Sequence, residues 1–228
     1  MTIPKLASPA RQARVDNMST TPPSPRRRRP QAERSADMRA RLIEAAIACL
    51  YRTGYSATTV SSVADEAGVS RGAMTHQFPA KTDLMLAVVQ SVFEDDGAIH
   101  NRIIAEMDPV QWLLALPQTM WGVISRPSGI AVMEIMLASR SEPDLAEKLR
   151  AQQKLIDERS HRWSAERVRA AGLEPVPEAD AIHELYVAAV RGLALEAVFM
   201  NNADGVQRSL QVLTDMIRRL YPAIEDKL

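Results

Sequence analysis

The 228-residue chain is 46% hydrophobic and 4% aromatic, and its 28 Lys and Arg balance 28 Asp and Glu. This is the make-up of an ordinary soluble globule, one large domain or a small one plus a larger, with a bias to helix over sheet. The single Cys49 excludes a disulfide framework, no apolar run reaches membrane-spanning length, and no apolar stretch follows the basic N-terminus as in a secretion signal, so a cytoplasmic protein without a membrane partner is expected.

The zero net charge hides a gradient. Residues 1–35 hold eight Lys and Arg against two Asp and Glu, residues 36–87 five against five, and residues 88–228 fifteen against twenty-one. Six of the fourteen prolines and the run PRRRRP fall in 1–35, which reads as a disordered basic arm. Such an arm either meets a polyanion or simply solubilises the chain.

Helical structure is expected from Ser35, a potential N-cap. Met38, Leu42, Ile43, Ala46 and Leu50 follow helical spacing up to Gly54, a stop signal. Thr58 or Thr59 caps a second helix with Val60, Val63, Ala64 and Ala67 as its buried stripe, and Gly68 ends it sharply. Ser70 caps a third helix, Arg71 to Gln77, whose Met74 and Phe78 point back at the first two; Pro79 closes it. The rest reads as helices over 81–106, 109–125, 128–140, 143–171, 178–201 and 204–221, with no alternating strand pattern. Domains are therefore expected at 36–87 and 88–228 after the arm, in an all-α fold.

Two short helices joined through a glycine form a helix-turn-helix. With its apolar residues turned inward, the third helix is left with Ser70, Arg71, Gly72, Thr75, His76 and Gln77, none of them acidic. Such a helix fits a DNA major groove, and its capped N-terminus suits a phosphate. Geometry alone is as compatible with a helix pair that never touches DNA.

The run from Leu42 to Leu84 resembles the DNA-binding domain of the tetracycline-repressor (TetR) family. The resemblance is carried by Gly54-Tyr55, Thr58-Thr59-Val60, Val63-Ala64, Ala67-Gly68-Val69-Ser70, Gly72, Phe78, Lys81 and Leu84. It implies a dimeric, all-helical transcription regulator, usually a repressor released by a small molecule. With no Gly-rich phosphate loop, Cys cluster or nucleophile elbow in the chain, no enzymatic activity, metal or cofactor is expected. By matching position it makes Thr59, Ser70, Arg71, Gly72, Thr75, His76, Gln77 and Lys81 candidates for contact with double-stranded operator DNA. Arg28 and Arg29 in the arm join them as groove or backbone contacts. Two departures stand out: Thr75 lies where the family commonly has Tyr, and Ala80 where a capping Ser is frequent.

The resemblance also implies that helices from about 109 onward bind the effector and the second subunit. Val206, Leu210, Leu213, Ile217 and Leu220 form a heptad seam, and AIHELYVAAVRGLALEAVFM is apolar nearly all round, so homodimerisation is expected through 178–201 and 204–221. Trp112, Met120, Trp121, Met133, Glu134, Met136, Trp163, His183 and Tyr186 are the candidate effector contacts, with plain core as the alternative for the apolar ones. A rival reading is a ferritin-like di-metal enzyme. It would pair Glu158 with His161 and Asp180 with His183, each a helical turn apart, and add Glu134 and Glu196.

Overall fold

The structure, a computed structural model, describes residues 31–200 and 202–228, apart from the side chains of 100, 104 and 105. The arm candidates Arg28 and Arg29 lie outside the described residues. Among the described residues there is no strand, and the chain folds as helices throughout.

Helix α1 (Gln31–Ala57) begins four residues before the expected end of the arm. It is broken at Gly54, whose backbone takes φ 75° and ψ 174°. This is a conformation that side chains resist, which is why a glycine stands there. Thr58 donates its hydroxyl to the Gly54 carbonyl, and the chain turns directly into α2 (Val60–Ala67). Thr59 caps α2 in a reciprocal box with Ser62. At the other end, Gly68 at φ 63° lets Val69 N–H reach the Ala64 carbonyl, a Schellman closure. Helix α3 (Arg71–Gln77) follows, capped by Ser70, which accepts from Ala73 N–H at 3.1 Å. These three helices close over Leu42, Ala46, Leu50, Val63, Met74 and Phe78, all at most 1% exposed.

The body consists of α4 (Lys81–Glu106), α5 (Pro109–Ile124), α6 (Pro127–Ala138), α7 (Pro143–Ala170), α8 (Ala179–Phe199) and α9 (Ala203–Leu220). Their bounds fall within three residues of those read from periodicity. Prolines open α5, α6 and α7, where the missing N–H costs nothing. At the start of α4, Ala80 offers no side-chain cap, but Asp83 accepts from its backbone N–H at 3.2 Å and restores half of a capping box.

The body has two cores. Ala131 and Ile135 of α6 and Leu145 and Leu149 of α7 belong to the same apolar cluster as the first three helices. The second cluster joins α5, α8 and α9 around Trp112, Val190 and Leu210. In that second cluster the α9 seam meets a different partner from the expected one. Val206, Leu210, Leu213 and Ile217 are buried within the subunit, so the heptad spacing reports intrachain packing. Exposed apolar side chains remain on α8 at Leu185, Val198 and Phe199, on α9 at Val212, and singly on α6 and α7 at Leu137 and Leu155.

Candidate nucleic-acid interface and ligand cavity

Helix α3 is held from three sides. Its N-terminus is capped by Ser70, Met74 and Phe78 anchor its inner face, and Gln77 Nε2 donates to Ser35 Oγ on α1 at 3.0 Å. Arg41 donates to the Ala67 carbonyl and ties α1 to the turn, while Arg52 pairs with Glu66 at 2.7 Å across α1 and α2. Arg71, Gly72, Thr75 and His76 are exposed together on the outer face. Thr75 returns its hydroxyl to the Arg71 carbonyl, which leaves Arg71 and His76 as the reaching side chains. Gly72 has open space around it, with only Ser70 Oγ within 4 Å of where a Cβ would stand.

Thr59 is exposed at the start of α2, with its hydroxyl already engaged in the cap. Lys81 differs from expectation. Its Nζ donates to the Tyr55 carbonyl at 2.8 Å and stands 3.7 Å from the centre of the Tyr55 ring. Burial lowers its pKa, opposed by the nearby Glu142. Lys81 is thus turned inward as a pin between α4 and the Gly54 bend. Sequence reasoning passed over Arg39, exposed on α1 with its guanidinium 4.5 Å above the Phe78 ring. Its signal was the chain of cations, Arg34, Arg39 and Arg41, leading up to the core of α1.

A family model described as bacterial regulatory proteins, tetR family, matches residues 42–88, the segment that builds this surface. Residues 42–88 thus carry the segment by which the tetR family of bacterial regulatory proteins is recognised. The regulator CymR of Pseudomonas putida is 37% identical over 83 residues, 36% of this chain and 41% of that protein. The chain thus spans about two fifths of CymR at that level of likeness. The transcriptional repressor AcnR of Corynebacterium diphtheriae is 22% identical over 188 residues, 81% of this chain and 94% of that protein. A transcriptional regulator from Rhodococcus sp. Rha1 has the same fold, with a TM-score of 0.64 at 21% identity, covering 79% of this chain and 96% of its own. A regulator from Saccharomonospora viridis in complex with choline matches equally, with a TM-score of 0.64 at 20% identity over 80% and 96% of the two chains.

Beyond that segment, a half-open cavity of about 410 Å³ lies among α4, α5, α6, α7 and α8. Of the residues expected there, Met120, Met136, Trp163 and His183 line it. The others do not. Trp112 is fully buried behind Trp163, edge to face at 4.9 Å, and Trp121 packs against the second core. Met133 is buried in α6, and Tyr186 donates its hydroxyl to the Leu213 carbonyl at 2.7 Å. Glu134 faces the opposite way and accepts from Tyr55 N–H at 3.0 Å. A Cβ at Gly54 would stand 3.2 Å from that carboxylate, a second reason for glycine there.

The cavity wall carries charges that sequence reading missed. Asp96 of α4 pairs with Arg126 at the start of α6. Burial pushes the Asp96 carboxyl up to about 6, more than the guanidinium pulls it down. His183 is held below its ordinary pKa by burial first and by His161 second. Arg191 also lines the cavity. Its signal was a cation embedded in the otherwise apolar α8 sequence.

The rival metal arrangement is not assembled. His161 and His183 meet edge to face at 5.3 Å, with Asp180 and Glu184 each 3.8 Å from His161. Glu134 is committed to Tyr55, Glu158 and Glu196 are exposed, and no group of three or more metal-ligating side chains is placed to hold an ion among the described residues. Among those residues, too, no helix is long and apolar enough to cross a membrane.

Proposed function

We propose that this protein is a homodimeric repressor that binds a pseudo-palindromic operator through α3 and is released by a small molecule entering the α4–α8 cavity. The observation that carries the reading is the acid-free outer face of α3. Arg71, Gly72, Thr75 and His76 are exposed on a helix whose cap, inner face and C-terminal end are all fixed by the rest of the domain. A major-groove reader needs this combination of rigid placement and short, polar or cationic reach.

One such helix reads only a few base pairs, so two are needed for useful specificity. The exposed apolar stripe of α8, with Leu185 55% and Phe199 80% exposed and open space at Gly192, supports a two-fold interface through that helix. The arm, with Arg28 and Arg29, joins α1 one turn before Ser35. Ser35 itself receives the Gln77 hydrogen bond from α3, and this supports reading Arg28 and Arg29 as contacts to the same duplex.

Release requires that the ligand favour one of two dimer arrangements. Three helices touch both the cavity and the DNA-binding unit: α7 carries Trp163 at the cavity and Leu145 in the first core. α4 carries Phe93 and Asp96 at the cavity and Leu84 in the first core, while α6 carries Met136 at the cavity and Glu134 on Tyr55. Selection of bound duplexes from a random library, followed by titration of the winner, tests the reading. The expected result is a two-fold symmetric consensus bound by a dimer in sedimentation. Binding without sequence preference would overturn it.

A further inference from the structure

We propose that the cavity takes a compact apolar molecule bearing a single carboxylate, which Arg191 grips. The inference rests on the reading of this cavity as the effector site.

The acidic groups on the wall are already engaged. Asp96 has Arg126, Asp157 accepts from Gln153 Nε2 at 2.7 Å, and Glu184 stands 3.8 Å from His161. Of the cations, Arg159 lies over the Phe93 ring at 5.0 Å. Arg191 is different: it makes no hydrogen bond or ion pair among the described residues, although it faces the cavity from the middle of α8. Burial works against its charge and only the field of Asp157 supports it. A half-buried guanidinium without a protein acceptor, opening on an apolar cavity, is placed to take an anion. Its planar fork matches a carboxylate through two parallel N–H bonds.

The rest of the wall sets the remainder of the molecule. Leu116, Met120, Val123, Ile124 and Trp163 present an apolar lining in a space of about 410 Å³. A drug-sized apolar body fits such a volume. A phosphate dianion does not suit the site, because one guanidinium would face two negative charges with Asp157 and Glu184 close by.

The test uses three probes that differ only in the head group: 4-phenylbutyrate, its primary amide and 4-phenylbutylamine. Each is titrated into the full chain, and tryptophan emission is followed, since Trp163 lines the cavity. The acid is expected to bind at least tenfold more tightly than the amide or the amine. Arg191→Gln should bring the acid down to the level of the amide, whereas Arg191→Lys, which keeps the charge without the fork, should retain part of the preference. An acid preference unchanged in Arg191→Gln would put the anion elsewhere and overturn the proposal. Tightest binding of the amine or the amide would overturn it too, yet leave the cavity standing as an effector site. Failure of all three probes to change the emission of the wild-type chain would bring down both the proposal and the cavity reading.

Discussion

The three helices that carry the recognition face and the helices that enclose the cavity are closed by different means. In the first region the ends are finished locally: Thr59 with Ser62, Ser70 with Ala73, Gly68 with its left-handed turn. In the second, α6, α7 and α8 start without any side-chain cap, and their placement depends on long-range packing. The first region encloses only a core of fully buried side chains, while the second has its own buried core around Trp112, Val190 and Leu210 and encloses open space beside it. Local closure fixes one shape, as a helix that reads base edges requires. Packing around a cavity leaves room for a second arrangement, as release by a ligand requires. The two are not independent bodies, because Ala131, Ile135, Leu145 and Leu149 lend α6 and α7 to the first core.

The largest effect should come from breaking the first region. Phe78 is 1% exposed where α3 ends, and Phe78→Ala should cost about 3–5 kcal/mol of stability. Met136 is only half-buried and borders the cavity, so Met136→Ala should cost less than about 2 kcal/mol, because fewer contacts are lost. Urea unfolding of both variants measures the gap. Equal losses would mean that the two regions are packed alike.

Arg71→Ala sharpens the contrast from the other side. Arg71 is exposed, so its removal should leave the melting temperature unchanged. Operator affinity should fall by about 1–3 kcal/mol, with specificity relaxed at one base position. Titration against operator and single-base variants measures both. A uniform loss across all of them would make Arg71 a phosphate contact.

Ionisation separates the regions as well. The folded-state pKa of Asp96, about 6, lies above its ordinary 3.8. Below about pH 4 the carboxyl is protonated folded or unfolded. As the pH rises toward 6 the unfolded chain ionises first, so stability falls and then levels off. The fall should be on the order of 1–3 kcal/mol. Asp96→Asn should remove it, and the stability gap between the two proteins should therefore change by about two thirds of that amount between pH 4.5 and pH 7. A gap that does not change with pH would show that the Arg126 pair fully compensates for the burial.

The same contrast explains what was legible in the sequence. Caps, glycine stops and helical stripes act over a few residues, so α2, α3 and the inward turn of Met74 and Phe78 can be read directly. Periodicity also marks the long helices, but it yields a stripe without naming its partner. The α9 seam is real and meets α5 and α8 of its own chain. Trp112 and Trp163 look equivalent in sequence, yet only packing between distant helices puts one behind the other. The inward turn of Lys81 is hidden for a related reason: the Gly54 bend leaves the Tyr55 carbonyl beside it, and no local signal announces that approach.

The smallest expected effect lies where the regions meet. The Tyr55 hydroxyl donates to Glu142 at 2.7 Å, its N–H to Glu134, and its carbonyl receives Lys81. Tyr55→Phe deletes only the hydroxyl and keeps the ring beneath Lys81. Glu142 is only half-buried, so water replaces much of the lost bond, and the cost should be about 1 kcal/mol. The form of the transition matters more than its size. If the shared core of Ala131, Ile135, Leu145 and Leu149 joins the regions, the variant still unfolds in one cooperative step by far-ultraviolet dichroism and by tryptophan emission alike. The tryptophans, all in the body, would report a separate event if the regions came apart. Two non-coincident transitions in Tyr55→Phe would show that the polar contacts at Tyr55 hold the molecule together, with the apolar core beneath them serving only the recognition domain.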